Sequence, residues 1–204
     1  MKQSTQSQRL SPELIREFVI AGHWDLPKVT QMLGEHPGLL NVANEWAPGD
    51  TETAIQAAAH AGSAHVAEFL LARGAPLEIC TAAMLGRQEA VEQMLREDPA
   101  KIRARGAHGI PLMAHAAFSS DVGLARMLFE RGAREGTSMA LSNAASKGHL
   151  EMARWLLDAG APDLHWKNFQ GKTALEIATE GGREEIAALL RARGAATPTV
   201  AREA

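Results

Sequence analysis

The chemistry-bearing side chains that lie closest together in the sequence are His115, Ser119, Ser120 and Asp121. A serine nucleophile needs a base within hydrogen-bond reach, and a histidine beside an aspartate could supply one. The same residues also fit a helix boundary, because Ser119 falls at a turn and Asp121 follows it as a helix N-cap would. The sequence has no Gly-x-Ser-x-Gly elbow, P-loop, Gly-x-Gly-x-x-Gly or His-Glu-x-x-His motif. We therefore predict a protein that is not an enzyme and has no catalytic residues. A small-ligand or enzymatic role for the His115–Asp121 region is the alternative.

Metal or thiol chemistry has few candidates. His60 and His65 are five residues apart on either side of Gly62, which is not the i, i+4 spacing of a helical metal pair. The one cysteine, Cys80, excludes an internal disulfide and any multi-cysteine zinc site. It lies among small residues, which favours a buried small hydrophobe over a nucleophile. We predict no metal site and no cofactor.

A basic segment offers weak electrostatic binding. Lys101, Arg103 and Arg105 alternate, with His108 beyond them. On a strand this alternation would place the three on one face, where they could meet an acidic partner or a phosphate, or simply keep an edge strand solvated. The net charge of −3, from 21 basic and 24 acidic residues, argues against a general nucleic-acid binder. We expect no nucleic-acid partner.

The composition predicts mostly helix. The chain has 204 residues, which suits one domain or a tight pair. It contains 38 alanines and no tyrosine, and only 4% of its residues are aromatic. Alanine is the best helix former and allows helices to approach closely. No segment has the roughly 20 apolar residues of a spanning helix, and the N-terminal stretch is polar, so we expect a soluble, cytoplasmic protein with no membrane partner.

An internal repeat must position these residues. Copies start near residues 53, 77, 110, 139 and 173, at intervals of 24 to 34 residues. Each copy combines a small-residue helix that stops at a glycine or serine with a second helix that carries one apolar stripe. The second helices end in Gly-Ala in four copies: FLLARGA (69–75), MLFERGA (127–133), WLLDAGA (155–161) and LLRARGA (189–195). One copy cannot bury its apolar faces alone, so the copies are predicted to stack as a solenoid.

The copies resemble the ankyrin repeat. The clearest matches are NFQGKTALEIA (168–178) and SKGHLEMARWLLDAGA (146–161), although no copy has the full Thr-Pro-Leu-His start of that family. The resemblance spans residues 11–195. It implies an all-α ankyrin-repeat solenoid of helix-turn-helix units with short or truncated β-hairpin fingers, in a bacterial-type protein with irregular natural repeats. Full fingers are expected at 103–110 and 164–172, and a longer loop at 41–52.

The predicted organisation is a single ankyrin-repeat domain over residues 11–195, with a capping unit at 11–44. Residues 1–10 are predicted to form a flexible N-terminus and residues 196–204 a C-terminal tail. Ser11 and Pro12 read as the N-cap and first residue of the first helix.

The resemblance also implies function. Ankyrin domains bind partner proteins with their finger tips and with the exposed edge of their first helices. Carried over by position, the predicted partner-binding residues are His60, Met84, Leu85, His108, Phe118, Lys147, Trp166 and Phe169. Met84, Leu85 and Phe118 could form an exposed apolar patch or pack internally, and the loop aromatics could anchor a partner or fold back over the hairpins.

The predicted function is a non-catalytic protein-protein interaction module that binds through its concave face and finger tips as a monomer. The alternative within the binding class is a dedicated inhibitor or immunity-type subunit of an enzyme or toxin. Nothing in the residues chooses between the two.

Overall fold

The computed structural model describes residues 10–195. The predicted C-terminal tail, and all of the predicted flexible N-terminus except Leu10, lie outside the described residues. The chain divides into two compact units, with the boundary between Leu77 and Glu78. We call them the N-terminal unit and the C-terminal unit, and the single domain expected over 11–195 stays a prediction. Among the described residues, no helix is long and apolar enough to cross a membrane.

The described part of the N-terminal unit, residues 10–77, contains two helix pairs and one hairpin. Its elements are α1 (Pro12–Gly22), α2 (Leu26–Glu35), β1 (Ala43–Ala47), β2 (Asp50–Thr53), α3 (Ala54–Ala61) and α4 (Ala64–Leu71). Helix α1 packs on α3, and α2 packs on α4. As predicted, Ser11 caps α1, because its hydroxyl accepts a hydrogen bond from the Leu14 amide at 3.2 Å.

Residues 78–195, which the structure describes of the C-terminal unit, form four helix pairs. They are α5 (Ile79–Met84) with α6 (Gln88–Glu97), α7 (Leu112–Ala116) with α8 (Val122–Glu130), α9 (Thr137–Lys147) with α10 (Leu150–Ala159), and α11 (Ala174–Glu180) with α12 (Glu184–Ala192). The first helices pack in sequence order, since α7 contacts both α5 and α9, and α9 contacts α11. The predicted all-α stack of helix-turn-helix pairs is confirmed within each unit.

The first helices end where the glycine pattern predicted. Gly62 and Gly148 lie in the left-handed region, with φ of 65° and 77°, at the ends of α3 and α9. Both amides donate to helix carbonyls, so the turn satisfies groups that the helix end would leave unpaired. A side chain with a Cβ would be strained at this φ. The turns therefore fix where the next helix of each pair starts.

The core is built from alanines and a few larger aliphatic side chains. Ala58 in α3 and Ala144 in α9 are fully buried, as the small-residue pattern predicted. A close approach of two backbones occurs at Gly22, where an added Cβ would lie 2.7 Å from the Ala54 carbonyl oxygen. Helix α1 can therefore meet the start of α3 only without a side chain at position 22.

The hairpin lies where a plain longer loop was expected. Strands β1 and β2 pair antiparallel, with Ala43 opposite Thr53 and a bulge after Glu45. Neither predicted finger forms a hairpin of paired strands. Residues 103–110 contribute one isolated bridge, Arg105 with Pro111, and 164–172 closes through turn hydrogen bonds. The full fingers expected at 103–110 and 164–172 are therefore a wrong prediction, whereas the short fingers of the predicted fold class are confirmed.

The alternation of basic residues on one strand face is a wrong prediction. Residues Pro99–Arg103 form a 3-10 helix instead. Proline at the first helical position has the required φ and no amide to satisfy, and Asp98 caps the turn by accepting from the Ala100 amide at 3.0 Å. A strand's period of two therefore does not apply to Lys101 and Arg103.

Thr173 provides a test of local helix formation. Its hydroxyl accepts from the Glu176 amide while the Glu176 carboxylate accepts from the Thr173 amide at 2.7 Å, which makes a capping box at α11. Thr173→Ala is expected to lower the free energy of unfolding by about 1 kcal/mol in urea titrations, the usual loss for an N-cap. Thr179→Ala, at an exposed position of the same helix, should change it by less than about 0.5 kcal/mol. Equal effects of the two substitutions would contradict a special role for the cap.

Candidate partner-binding site

Three of the predicted binding residues lie at neighbouring helix ends of the C-terminal unit. Leu85, Phe118 and Lys147 follow or end α5, α7 and α9, and these helices pack side by side. We call the three the edge surface. Leu85 and Phe118 are half-buried and Lys147 is exposed. The Lys147 ammonium lies 5.5 Å from the centre of the Phe118 ring, within range of a cation–π interaction.

Hydrogen bonds between neighbouring repeats hold the edge surface in place. The Asn143 side-chain amide of α9 donates to the Ala114 carbonyl of α7 at 2.9 Å. The His149 ring contacts the Ala117 carbonyl at 3.5 Å, in keeping with the structural role expected for a histidine after a turn glycine. Partial burial lowers the pKa of Lys147. Phe118 and Lys147 are therefore presented together by a fixed backbone.

Met84 is not accessible at this edge. It is only 3% exposed and belongs to the core of the C-terminal unit, so of the two alternatives, internal packing is the one observed. It is the last residue of the short helix α5, where all six side chains are buried. The expected three-residue apolar patch is reduced to Leu85 and Phe118.

Residues 163–172 form a second candidate surface, which we call the Phe169 finger. Asn168 organises its tip, since its side-chain oxygen accepts from the amides of Gln170 and Lys172 at 2.9 and 3.0 Å. The base is tied to α9 by the Asp163 amide, which donates to the Ser138 hydroxyl at 2.9 Å. A short turn with this many internal bonds keeps one conformation of its tip.

The finger presents one aromatic ring to solvent. Phe169 is 96% exposed, whereas Trp166 at the base is half-buried. The basic neighbour Lys172 pairs with Glu180 of α11. His108, the other predicted finger residue, is exposed in the turn Ala107–Gly109 at a positive φ of 57°. The predicted residues thus occupy separate loops of the C-terminal unit.

His60 belongs to a polar cluster in the N-terminal unit. Its Nε2 lies 2.6 Å from Oε1 of Glu52, and Nε2 of His23 lies 3.9 Å from the same oxygen. The Trp46 indole donates to the other oxygen, Oε2, at 2.8 Å. We call these four residues the Glu52 cluster. The Glu52 side chain is fully buried, and both histidine side chains are 16% exposed.

Two groups of the Glu52 cluster have shifted pKa values. Burial by itself raises the pKa of the Glu52 carboxyl, but the His60 hydrogen bond, the charges of His60 and His23, and the Trp46 hydrogen bond outweigh it and hold the pKa below its usual value. Burial lowers the pKa of His23 despite the nearby Glu52 carboxylate. At neutral pH the carboxylate is therefore charged and His23 is neutral.

Sequence reasoning missed this cluster because its members are not close in the chain. His23 follows α1, Glu52 lies in β2 and His60 lies in α3, so no local spacing joins them. The sequence suggested His60 and His65 as a pair to consider for metal binding. The fold does not bring these two side chains together, because His65 is exposed on α4 and lies outside the Glu52 cluster. The sequence offers one local indication of the cluster, which is that Glu52 comes directly before Thr53, the N-cap of α3.

The contacts of His115, Ser119 and Asp121 do not form the catalytic arrangement that the enzymatic alternative requires. His115 is 1% exposed, and the Ser119 hydroxyl donates to the Ala116 carbonyl at 2.8 Å. The Asp121 carboxylate caps α8 by accepting from the Leu124 amide at 2.9 Å. Ser119 and Asp121 are thus engaged in a turn and a helix cap, as the helix-boundary interpretation predicted.

Cys80 should be unreactive in the folded protein. It is 5% exposed, and burial, with a smaller effect of the Glu78 charge, raises the pKa of its thiol to about 12. The reactive thiolate is therefore about a thousandfold scarcer than for an ordinary thiol at the same pH. We expect Ellman's reagent at pH 8 to modify Cys80 at least about 100-fold more slowly in buffer than in guanidinium. Similar rates under the two conditions would contradict the buried position.

Among the described residues of the N-terminal unit, two large apolar side chains are exposed. Ile20 is 40% exposed near the end of α1, and Trp24 is 65% exposed in the turn that follows. The Trp24 ring lies 5.2 Å from the His23 ring. The sequence left the role of Trp24 open, because a tryptophan after a turn fits either a packed or a contact position.

Comparisons with known proteins identify the repeat type. A family model described as ankyrin repeats (3 copies) matches residues 112–200, and a model of the single ankyrin repeat matches residues 50–82. No curated protein matches the chain. The two matched ranges include the whole Phe169 finger and five of the eight predicted contact residues: His60, Phe118, Lys147, Trp166 and Phe169.

Proposed function

Because the chain belongs to the ankyrin-repeat family, whose members are generally non-catalytic protein-interaction modules, we propose that it binds a partner protein through the C-terminal unit. The contact surface consists of the Phe169 finger and the edge surface of Leu85, Phe118 and Lys147. The protein acts as a monomer in this proposal, without nucleic acid, and performs no reaction of its own.

The observation that carries the proposal is the Phe169 ring. Its 96% exposure leaves a large apolar surface in water. Burying such a ring contributes about 1.5–3 kcal/mol, which the folded monomer forgoes and a partner with an apolar pocket would gain. The hydrogen-bonded tip supports the proposal further, since an ordered loop loses little conformational entropy when it binds.

The edge surface adds a contact of different character. Phe118 and Lys147 together offer an apolar face with a cation above it. A partner that meets this surface would place an apolar side chain beside an acidic one. Aromatic residues are enriched at interface cores, and the charged group at the rim mainly fixes orientation.

Affinity capture from a lysate tests the proposal. Wild-type protein is used as bait beside Phe118→Glu, which places a negative charge in the edge surface. Ala188→Glu is the matched control, because it introduces the same charge at an exposed position of α12. The expected result is a protein recovered by wild type and Ala188→Glu and lost with Phe118→Glu.

Stability measurements keep the capture experiment interpretable. Phe118 is half-buried, so the melting temperatures of Phe118→Glu and wild type are compared first. If both baits recover the same protein equally, the edge surface is not part of the interface. If no bait recovers a specific protein, the proposed function fails.

A further inference from the structure

The Glu52 cluster places three metal-binding atoms around one point. One ring nitrogen of His23, one ring nitrogen of His60 and a carboxylate oxygen of Glu52 all lie within 4.8 Å of one another. Two imidazole nitrogens and one carboxylate oxygen are the donor set of many zinc sites that keep a fourth position for water or another ligand. All three residues belong to the N-terminal unit.

We propose that His23, Glu52 and His60 bind a zinc ion through Nε2, Oε1 and Nε2, with the fourth coordination position open to solvent. Ligands at about 2.0–2.2 Å from a tetrahedral ion are separated by about 3.4 Å. The observed separations from Oε1 are 2.6 Å to His60 and 3.9 Å to His23. Side-chain rotations that move these atoms by less than about 1 Å bring both separations to about 3.4 Å.

The surroundings of His23 orient it as a ligand. Its Nδ1 lies 3.0 Å from the Ile20 carbonyl and 3.2 Å from the Val19 carbonyl. A carbonyl only accepts, so Nδ1 carries a proton, and Nε2 is the nitrogen that lies 3.9 Å from Oε1 of Glu52. Metal-binding histidines usually donate their other nitrogen to a backbone carbonyl in this way.

A hydrogen bond from a residue that is not a proposed ligand also orients the Glu52 carboxylate. The Trp46 indole donates to Oε2 and leaves Oε1 directed towards the two histidines. A buried carboxylate is costly unless charge and hydrogen bonds compensate for lost water, and a divalent cation would supply that charge directly. The 16% exposure of both histidine side chains gives an ion a path from solvent.

Zinc must replace the hydrogen bond between His60 and Glu52. In the present arrangement the His60 Nε2–H donates to Oε1. Binding breaks this hydrogen bond: the proton leaves Nε2, Nδ1 carries the one proton of the neutral ring, and the freed Nε2 lone pair forms the bond to the metal.

The test is calorimetric titration of ZnCl2 into the full chain, after chelator treatment and with any affinity tag removed. The variants are Glu52→Gln and His23→Ala. His36→Ala and His65→Ala are matched controls that remove an imidazole from the same unit but outside the cluster. We expect one zinc per chain for wild type and both controls, and affinity reduced more than about 100-fold for the two cluster variants.

Cobalt provides the coordination readout. Wild type with one equivalent of Co2+ should show the intense visible absorption of a four- or five-coordinate ion, and Glu52→Gln should not. Circular dichroism in the presence of EDTA establishes that the variants fold. Should Glu52→Gln fail to fold, His23→Ala retains the test because its side chain is partly exposed.

Three results would overturn the proposal. They are no zinc binding by wild type, equal binding by wild type and His23→Ala, and loss of binding in His65→Ala. The proposal does not depend on partner binding, since it concerns the N-terminal unit and uses the metal alone as the probe.

Trp46→Phe tests the outer contact specifically. It removes the indole donor to Oε2 and leaves all three ligands in place. We expect zinc affinity to fall about 10- to 100-fold with unchanged stoichiometry, which is the usual cost of losing such a contact. An unchanged affinity would mean that Trp46 does not position the carboxylate for the ion.

Discussion

Replacing Phe169 by alanine is expected to weaken binding to the captured partner by about 10- to 100-fold. The magnitude follows from a central interface aromatic, whose loss costs about 2 kcal/mol or more, at 1.4 kcal/mol per tenfold change in Kd. The melting temperature should stay that of wild type, because a side chain that is 96% exposed contributes little to the core. Calorimetry with the purified partner gives the Kd, and differential scanning calorimetry gives the stability.

Neighbouring residues supply the controls. Gln170→Ala alters the same finger at another exposed position and should change Kd by less than about threefold. Asn168→Ala keeps the ring but removes the bonds that hold the tip, so we expect weaker binding mainly through a greater entropy loss. If Phe169→Ala binds as tightly as wild type, the finger lies outside the interface.

Gly22→Ala should destabilise the N-terminal unit by about 1–3 kcal/mol, the range typical of overpacked cores. Its methyl group would lie 2.7 Å from the carbonyl oxygen and 2.8 Å from the Cα of Ala54, both backbone atoms of the next repeat. A backbone contact cannot be relieved by a rotamer change, so α1 and α3 must move apart. Urea denaturation followed by circular dichroism measures the loss.

Gly34→Ala is the matched control with the opposite sign. Gly34 lies in α2, and an added Cβ would meet nothing within 4 Å. Alanine in place of an unconstrained helical glycine stabilises by about 0.4–1 kcal/mol, because the unfolded chain loses freedom. If both substitutions shift stability in the same direction, the close approach of α1 and α3 does not limit packing.

The repeat architecture could be predicted because its signals are local. A glycine such as Gly62 ends a helix wherever the pattern places it, and alanines such as Ala144 are buried wherever first helices meet. Ser11 likewise predicted the start of α1. Each of these depends on residues within one or two turns, which a single sequence displays.

Local patterns failed where the outcome depended on how a loop packs. The alternation of Lys101 and Arg103 fitted a strand, but Pro99 and the Asp98 cap set a 3-10 helix. The hairpin formed at 43–53 instead of in the predicted fingers, since pairing is decided by the register of both strands. Met84 is buried together with the other five side chains of α5. Its position two residues before the turn glycine Gly86 does not reveal this burial.

The candidate sites also differ in whether local sequence patterns could predict their residues. Phe169 and Phe118 could be named from their positions in a repeat, and whether they bind a partner stays a prediction. The Glu52 cluster could not be named, because its three ligands come from the end of α1, the end of β2 and the end of α3. Only folding brings them within 4.8 Å.

The distribution of tryptophans makes the two units optically distinct. The chain has four tryptophans and no tyrosine. Trp24 and Trp46 lie in the N-terminal unit beside His23 and Glu52, while Trp155, packed edge-on against Phe129 at 5.7 Å, and Trp166 lie in the C-terminal unit. Intrinsic fluorescence from a chain in which the first pair is changed to phenylalanine therefore reports on the C-terminal unit alone. The difference from wild type reports on the unit that holds the histidines, so the unfolding of each can be followed without an added dye.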